Sequence, residues 1–341
     1  MSAYFARRLL LMIPTFLGIT FLVFAITRFV PGGPIDQMMA AMQSAAAEGG
    51  ASGGGEQIAQ IPPEVMKALE EHYHLDVPFW MAYLYWMGDL LQGDLGTSYK
   101  FNEPVLGVIT ARFPISIYFG MIGFLLAYGV CIPLGIAKAI RHGTAFDFAS
   151  SAIVFVGYSI PGWALGAALL VLFGGGSFLD WFPLGGFRSP DWDQMSLAGK
   201  IVDQVHHTVL PVLSYAVGSF ATLTVLMKNS LMENLGQDYV RTAFAKGLSE
   251  RRVVLVHALR NSLIPISTGL GHAIGLFMAG SYLIEFVFNI NGIGYLGYIS
   301  VVERDYAVVM GILVINTLTV LLGNVLSDVL YVVVDPRIRF S

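Results

Sequence analysis

Long apolar runs separated by short polar segments dominate the hydrophobic pattern of the chain. Six windows lack Asp, Glu, Lys and Arg and are bounded by such residues at both ends: 9–27, 113–137, 148–179, 204–227, 261–284 and 306–327. A helix needs about 20 apolar residues to cross the hydrocarbon core of a bilayer, and these windows approach or exceed that length. Because isolated strands leave backbone groups unsatisfied in lipid, the pattern predicts six membrane-spanning helices.

The composition supports a chain solvated by lipid. Of the 341 residues, 55% are hydrophobic and 12% are charged, and the mean hydropathy is +0.68. Soluble domains carry about 25% charged residues. The net charge of −4 gives no reason to expect nucleic acid as a partner. The single cysteine, Cys131, excludes an intrachain disulfide and a zinc cluster by count, so we expect no metal site.

Basic residues predict the orientation of the spans. With the N-terminus in the cytoplasm, the inside segments hold 12 Lys/Arg and 6 Asp/Glu, whereas the rest of the chain holds 7 and 17. These inside segments are 1–8, 138–147, 228–260 and 328–341. Cytoplasmic loops carry the excess of Lys and Arg, so both termini are expected inside. The first apolar run is followed by PGGP without a small-residue cleavage site, which indicates an uncleaved span.

The spans divide the chain into four parts. We expect a cytoplasmic tip and first span, a long periplasmic loop with short helices, a five-span core and a cytoplasmic tail, at residues 1–30, 31–112, 113–334 and 335–341. The loop carries aromatic residues that favour the membrane–water boundary or contact a solute-delivering partner: Trp80, Tyr83, Tyr85 and Trp86.

A polar, helix-forming segment at 228–262 interrupts the core. Asp238 suits a helix N-terminus, Lys246 suits the last turn, and Gly247 can supply the left-handed residue that ends the helix. The helix predicted there has about two turns, which is too short for stability without a packing partner. Ser249 is expected to begin a second helix.

Two interpretations of this segment remain open. An ordinary positive-inside loop would place its arginines at the lipid headgroups. Two capped helices separated by one glycine instead favour docking into a groove of another protein. Pro265 is expected to kink or restart the second helix on its way into the fifth span.

The motif RTAFAKG, followed by Ile264–Pro265, resembles the cytoplasmic signature loop of ABC importer permeases, EAA-x3-G with a later Leu-Pro. Arg241 takes the Glu position, Thr242 and Ala243 take the two Ala positions, and Gly247 takes the Gly position. Arg and Thr at these places resemble the peptide and nickel branch. Matches to that branch, and to its Yej-type oligopeptide permeases, run in order along the chain and include PGGPIDQ, GDLGTSY, IPLG, RDY and DPRIRF.

The resemblance implies an all-α membrane protein, with a type I importer (MetI-like) core in spans two to six and an extra N-terminal span. It implies a bacterial inner-membrane permease for peptides whose cytoplasmic coupling helix contacts an ATPase. The implied coupling residues are Asp238, Tyr239, Arg241, Thr242, Ala243, Lys246, Gly247, Ser249 and Pro265. The implied partners are a second homologous permease in a heterodimer, two ATPase domains, separate or fused, and a periplasmic peptide-binding protein.

Nucleotide chemistry is not expected in this chain. GIGYLG, with Gly292 and Gly294, matches G-x-G-x-x-G, but it follows a predicted span and lacks an acidic residue about 20 positions later. No phosphate loop occurs, so we expect no catalytic residues and no cofactor, with ATP and magnesium bound by partner subunits. The glycines are instead expected to pack near the pathway. Pro161 is expected to bend the third span, and Glu285 either contacts solute or marks the headgroup boundary.

Other functions remain as alternatives. An ion-coupled secondary transporter would need charged groups at membrane depth, and the six windows contain none. An intramembrane hydrolase would need a nucleophile–base pair, for which the sequence offers no convincing candidate. Within the importer class, a dipeptide or chelated nickel remains an alternative to longer peptides.

Overall fold

The computed structural model describes residues 2–30, 67, 74, 76–176, 178–267 and 280–334. Regular structure in these residues is helical, with isolated β-bridges at Thr97–Pro104 and Gly174–Phe182. The α-helices are α1 (Ser2–Phe29), α2 (Phe79–Leu91), α3 (Val105–Thr110), α4 (Phe113–Ile140), α5 (Ala145–Ser159), α6 (Gly162–Phe173), α7 (Leu197–Leu235), α8 (Asp238–Ala245), α9 (Glu250–Arg252), α10 (Leu259–Ser262), α11 (Ile264–Ser267), α12 (Tyr282–Val287), α13 (Ile293–Val302) and α14 (Tyr306–Val334). A π-helical turn, Val253–Ala258, joins α9 to α10.

Four stretches of helix are long and apolar enough to cross a membrane: Tyr4–Phe29, Val105–Ile140, Leu197–Leu235 and Tyr306–Val329. They contain four of the six predicted windows, namely the first, second, fourth and sixth. The fifth window, 261–284, is described only at its ends, since residues 268–279 lie outside the described residues. Most of the long loop, including 31–66, also lies outside them, and α2 and α3 are its described helices.

The predicted third span consists of two helices, α5 and α6, bent by 95°. Ile160 has an extended conformation with ψ of 120°, and Pro161 follows with φ of −54° and ψ of 136°. Proline disfavours the helical conformation of the residue before it. Two consecutive residues therefore leave the helix, and the span is broken where the sequence predicted a bend.

The chain divides into two compact units, one made of Met1–Leu9, Arg112–Tyr295 and Thr319–Ser341, the other of Leu10–Ala111 and Leu296–Leu318. In the first unit, α4 and α7 approach closely at glycines. A Cβ atom on Gly135 would lie 2.6 Å from Cβ of Met227, and one on Gly123 would lie 3.0 Å from Cβ of Tyr215. Small residues allow membrane helices to pack in this way.

In the second unit, α2 packs against α1 through aromatic side chains. Tyr83 is buried, its hydroxyl lies 2.9 Å from Oγ1 of Thr20, and its ring meets Phe21 edge-on. The sequence grouped Tyr83 with residues of the membrane–water boundary. The structure buries it instead, because Thr20 supplies the hydrogen-bond partner that a buried phenol requires.

Also in the second unit, the GDLGTSY segment packs on the RDY turn at the start of α14. The Ser98 hydroxyl donates to the carboxylate of Asp305, 207 positions later, and the Val308 N–H donates to Oδ1 at 3.4 Å. Burial raises the pKa of Asp305 above its ordinary value. Val105 packs closely against Gly311, since a Cβ atom on Gly311 would lie 2.5 Å from Cγ1 of Val105. Two motifs of the sequence thus form one structural contact.

Candidate functional site

The segment that the sequence singled out forms the amphipathic helix α8, of eight residues. It begins after Gln237, the N-cap residue, so Asp238 occupies the first helical position, where its charge suits the helix dipole. Gly247 has φ of +78°, which confirms the expected left-handed residue after the helix. Val240 and Ala243 point inward and are 1% and 7% exposed. The helix is therefore held in place by one apolar face.

The inner face of α8 belongs to a buried apolar cluster that unites five elements. Its members are Ala139 of α4, Met227 and Leu231 of α7, Val240 and Ala243 of α8, Val253, Val254 and Ala258 of the π-helical turn, and Ile266 of α11. A reciprocal pair of hydrogen bonds fastens the same region, since Ser230 Oγ donates to the Ser262 carbonyl at 2.9 Å and Ser262 Oγ donates to the Ser230 carbonyl at 3.3 Å. This packing supplies the stability that a two-turn helix lacks alone.

The outer face of α8 presents aromatic side chains within a polar surround. Tyr239 is 38% exposed and Phe244 is 46% exposed. The Tyr239 hydroxyl donates to Oδ1 of Asn234 at 2.8 Å, which orients its ring. Arg241 forms a 3.5 Å ion pair with Asp238 in which both side chains are largely exposed, so the pair contributes little to stability. Thr242 and Lys246 lie on the same exposed surface.

The polypeptide after α8 is more irregular than the sequence suggested. Ser249 is the N-cap residue of α9 through its backbone carbonyl, which accepts the N–H groups of Arg252 and Val253. The π-helical turn that follows was not predicted, and such turns are frequent at functional sites. Leu263 separates α10 from α11, which contains Pro265, so the helix restarts beside the proline as expected.

A second cluster surrounds Glu285, which is 1% exposed. Its Oε2 accepts the Tyr295 N–H at 2.7 Å, and its Oε1 accepts the Ser116 and Tyr215 hydroxyls at 3.2 and 3.4 Å. The Ser281 N–H also donates to Oε1, at 3.4 Å. All four donors among the described residues are neutral, and they come from α4, α7 and the chain on both sides of α12. The carboxylate therefore holds several separate elements together.

The glycines of this segment make room for the carboxylate. A Cβ on Gly292 would lie 2.6 Å from Oε1 of Glu285 and 2.6 Å from Oγ of Ser116. A Cβ on Gly294 would lie 2.6 Å from the backbone nitrogen of Tyr282. Gly280, with φ of +65°, approaches the same carboxylate. The first two glycines of the G-x-G-x-x-G pattern are thus explained by close packing around Glu285.

The break in the third span lies near this cluster. Gly162, which follows Pro161, would place a Cβ 2.5 Å from the Ser214 carbonyl and 3.7 Å from Cδ1 of Ile284. The structure therefore brings the residues Pro161, Glu285, Gly292 and Gly294 into one region of the first unit, while the coupling segment forms a separate cluster.

Known proteins are similar to this chain in sequence along its whole length. A family model described as the binding-protein-dependent transport system inner membrane component matches residues 131–340. The chain belongs to this family. It is 40% identical to the peptidoglycan transport system permease protein YejB of Agrobacterium fabrum, covering 100% of this chain and 99% of that protein. It is 36% identical to the oligopeptide transport system permease protein AppB of Bacillus subtilis over 100% of both chains. The dipeptide transport system permease protein DppB of Escherichia coli K12 is 35% identical over 99% of each chain.

This inner-membrane transport component also contains an ionic cluster that sequence analysis missed. Asp147, at the start of α5, accepts from Lys228 of α7 at 2.8 Å and lies 3.0 Å from the ammonium group of Lys138 of α4. His142 Nδ1 and the Gly143 N–H lie 3.2 Å from the same carboxylate. Asp147 and Lys228 are 81 positions apart, so no local pattern in the sequence indicated the pair.

Proposed function

We propose that this chain is the membrane-spanning permease subunit of an ATP-driven importer of peptides, moved by partner ATPase subunits through α8. The observation that carries the proposal is the two-sided construction of α8. Val240 and Ala243 anchor it to the membrane helices, while Tyr239 and Phe244 remain exposed. An exposed amphipathic helix with aromatic anchors is suited to insertion in a groove.

The proposed complex contains subunits that this chain requires for activity. ATP and magnesium are bound by two ATPase domains, separate or fused, since the sequence has no phosphate loop. A second homologous permease completes the translocation unit, and a periplasmic binding protein delivers solute. Six spans with both termini in the cytoplasm agree with the excess of basic residues in the inside segments. In that orientation α8 faces the ATPases.

The region around Glu285 is proposed to border the translocation pathway. Irregular backbone at membrane depth is tolerated where protein or water satisfies it, and in this segment the Ser281 and Tyr295 N–H groups donate to Glu285. Pro161 breaks the third span beside this region. Glu285 itself is buried by its own donors, so its role in this state is to hold the segment in place. Gly292 and Gly294 permit that arrangement.

The proposed solutes are peptides, by analogy with relatives named for oligopeptide and dipeptide transport. A second solute class is peptide-bearing fragments of peptidoglycan, favoured by the 40% identical relative named for peptidoglycan transport. Peptides and peptide-bearing peptidoglycan fragments both contain a peptide backbone. Uptake of a labelled tripeptide, with unlabelled oligopeptides or a muropeptide as competitors, separates the two classes.

Cysteine cross-linking of the purified complex tests the coupling role. With Cys131 replaced by Ala, Ala245→Cys on the exposed side of α8 should cross-link to the ATPase subunit in a manner that ATP changes. Ala243→Cys is the matched control, because Ala243 faces the buried cluster and should not react. Absence of cross-links from Ala245→Cys, with the thiol shown to react with maleimide in inverted vesicles, contradicts docking through α8.

A further inference from the structure

The ionic cluster at Asp147 joins three membrane helices at a single carboxylate. Lys228 Nζ lies 2.9 and 2.8 Å from the two carboxylate oxygens, and Lys138 Nζ lies 3.0 Å from Oδ1. Lys138 is 1% exposed and Asp147 is 6% exposed. A buried charge is stable only when paired and hydrogen-bonded. The three side chains therefore depend on one another.

Further hydrogen bonds complete the cluster. The Lys138 ammonium group also donates to the Asp147 carbonyl at 2.7 Å, to Ser150 Oγ at 2.8 Å and to Ser151 Oγ at 2.7 Å. All of these acceptors belong to α5. Lys138 thus holds α5 through four separate contacts. Because Lys138 belongs to α4, the position of α4 sets the position of the first turns of α5.

The two lysines adjoin the apolar cluster beneath α8. Ala139 follows Lys138 in α4, and Met227 precedes Lys228 in α7, and both belong to the cluster that contains Val240 and Ala243. A displacement of α8 that moves this cluster also moves the backbone that carries the lysines. Close packing transmits such shifts, because protein interiors have few voids.

The helix that receives this displacement is otherwise sparsely packed. Asp147 and Val154 are the buried residues of α5 in the described structure. Large apolar residues along the rest of the helix are exposed: Phe148, Ile153, Phe155, Val156 and Tyr158. The N-terminal half of the broken span is held at its first turn by the Asp147 cluster and farther along by the packing of Val154 and of Gly157, where a Cβ would lie 3.5 Å from Cγ2 of Val217. It leads directly to the break at Pro161.

We propose that Asp147 is a positioning residue that transmits movement from α8 to the broken span α5–α6, through Lys138 and Lys228. The inference rests on the proposed coupling role of α8 and extends it to the element beside the pathway. Asp147 is buried between α4 and α7, so it acts through its neighbours. Its contribution is expected in the efficiency with which ATP hydrolysis drives uptake.

The test measures ATP hydrolysed per tripeptide imported, in proteoliposomes containing the complete transporter and its binding protein. Asp147→Asn should raise this ratio by about fivefold or more, the lower range of typical coupling between sites. The ATP-sensitive cross-link from Ala245→Cys should persist. Glu233→Gln is the matched control, because it removes an exposed carboxylate from α7 and should leave the ratio unchanged.

A second variant separates transmission from folding. Asp147→Asn leaves Lys228 without its carboxylate partner, and adding Lys228→Met removes that unpaired lysine. The double variant should restore the yield of assembled complex, but the amount of ATP hydrolysed per tripeptide imported should stay high. Recovery of both quantities together would overturn the proposal, as would a wild-type ratio in assembled Asp147→Asn complex. Loss of the Ala245→Cys cross-link in the otherwise wild-type transporter would instead contradict the proposed function of α8.

Discussion

Gly292 lies where a larger residue would collide with a buried carboxylate. Its α-hydrogen faces Glu285 and Ser116, with room for no additional atom, as the 2.6 Å distances from a Cβ to both side chains indicate. A similar restriction applies at Gly247, where φ of +78° disfavours residues with a side chain. At the scale of the residue, glycine is thus required for space at one position and for backbone conformation at the other.

Gly292→Ala is predicted to destabilise the protein by about 1–3 kcal/mol, the usual cost of overpacking a close-packed interior. The Tm of the purified complex should fall, and tripeptide uptake should fall with it because the segment around Glu285 is displaced. Gly218→Ala in α7 is the control, since a Cβ there meets nothing within 4 Å. Equal Tm values for the two variants would contradict the crowding at Gly292.

At the scale of elements, short segments acquire stability from contacts distant in sequence. Helix α8 depends on α4 and α7 for its buried face. The segment 94–109 depends on α14, because Ser98 donates to Asp305 and Val105 fills the space above Gly311. In both cases a motif is held by residues that the local sequence does not contain.

Asp305→Asn is predicted to change how stability depends on pH. Burial raises the pKa of Asp305, so the protonated carboxyl is favoured in the folded state, and the stability it contributes is lost as pH rises through the raised pKa. Asparagine does not ionise. As pH rises from about 4, the ordinary value for Asp, the Tm of the wild type should therefore decline relative to that of Asp305→Asn.

Ser98→Ala provides the complementary variant. Its hydroxyl donates to the ionised carboxylate and lowers the pKa of Asp305, so its removal should make the total decline of Tm larger and extend it to higher pH. Parallel pH profiles for the wild type and Asp305→Asn would show that this carboxyl has no part in the pH dependence.

At the scale of the whole molecule, the basic residues and the length of the spans act together. Each apolar helix satisfies its own backbone in lipid, and the excess of Lys and Arg in the predicted inside segments favours the proposed orientation. The proposed six-span arrangement places α8 on the side of the ATPases and the 178–196 segment on the side of the binding protein. This separation is what an importer driven from the cytoplasm requires.

Labelling of intact cells with a membrane-impermeant maleimide is predicted to distinguish the two sides. In a protein without Cys131, Asp191→Cys should react in intact cells once the outer membrane has been made permeable, because Asp191 is exposed and the proposed orientation places it in the periplasm. Ala245→Cys should react only after lysis. Labelling of Ala245→Cys in intact cells would invert the proposed orientation.

The sequence by itself determined the helical, membrane-embedded character of the protein and the location of α8. Both follow from local properties: uninterrupted apolar length for the spans, and a short run with Asp238 and Gly247 at its ends for the helix. The transport family also follows from short motifs at several places along the chain. Each span, helix end and motif is recognised from residues that are near one another in sequence.

The tertiary structure alone decided which polar groups meet. Glu285 joins Ser116 and Tyr215 across 169 and 70 positions, and Asp147 joins Lys228 across 81. Such pairs have no periodic signature, because each partner looks like an isolated polar residue in its own segment. The same reason explains the burial of Tyr83. At Pro161 the local effect of proline indicated a bend, and close packing of Gly162 against the Ser214 carbonyl accompanies the sharper break.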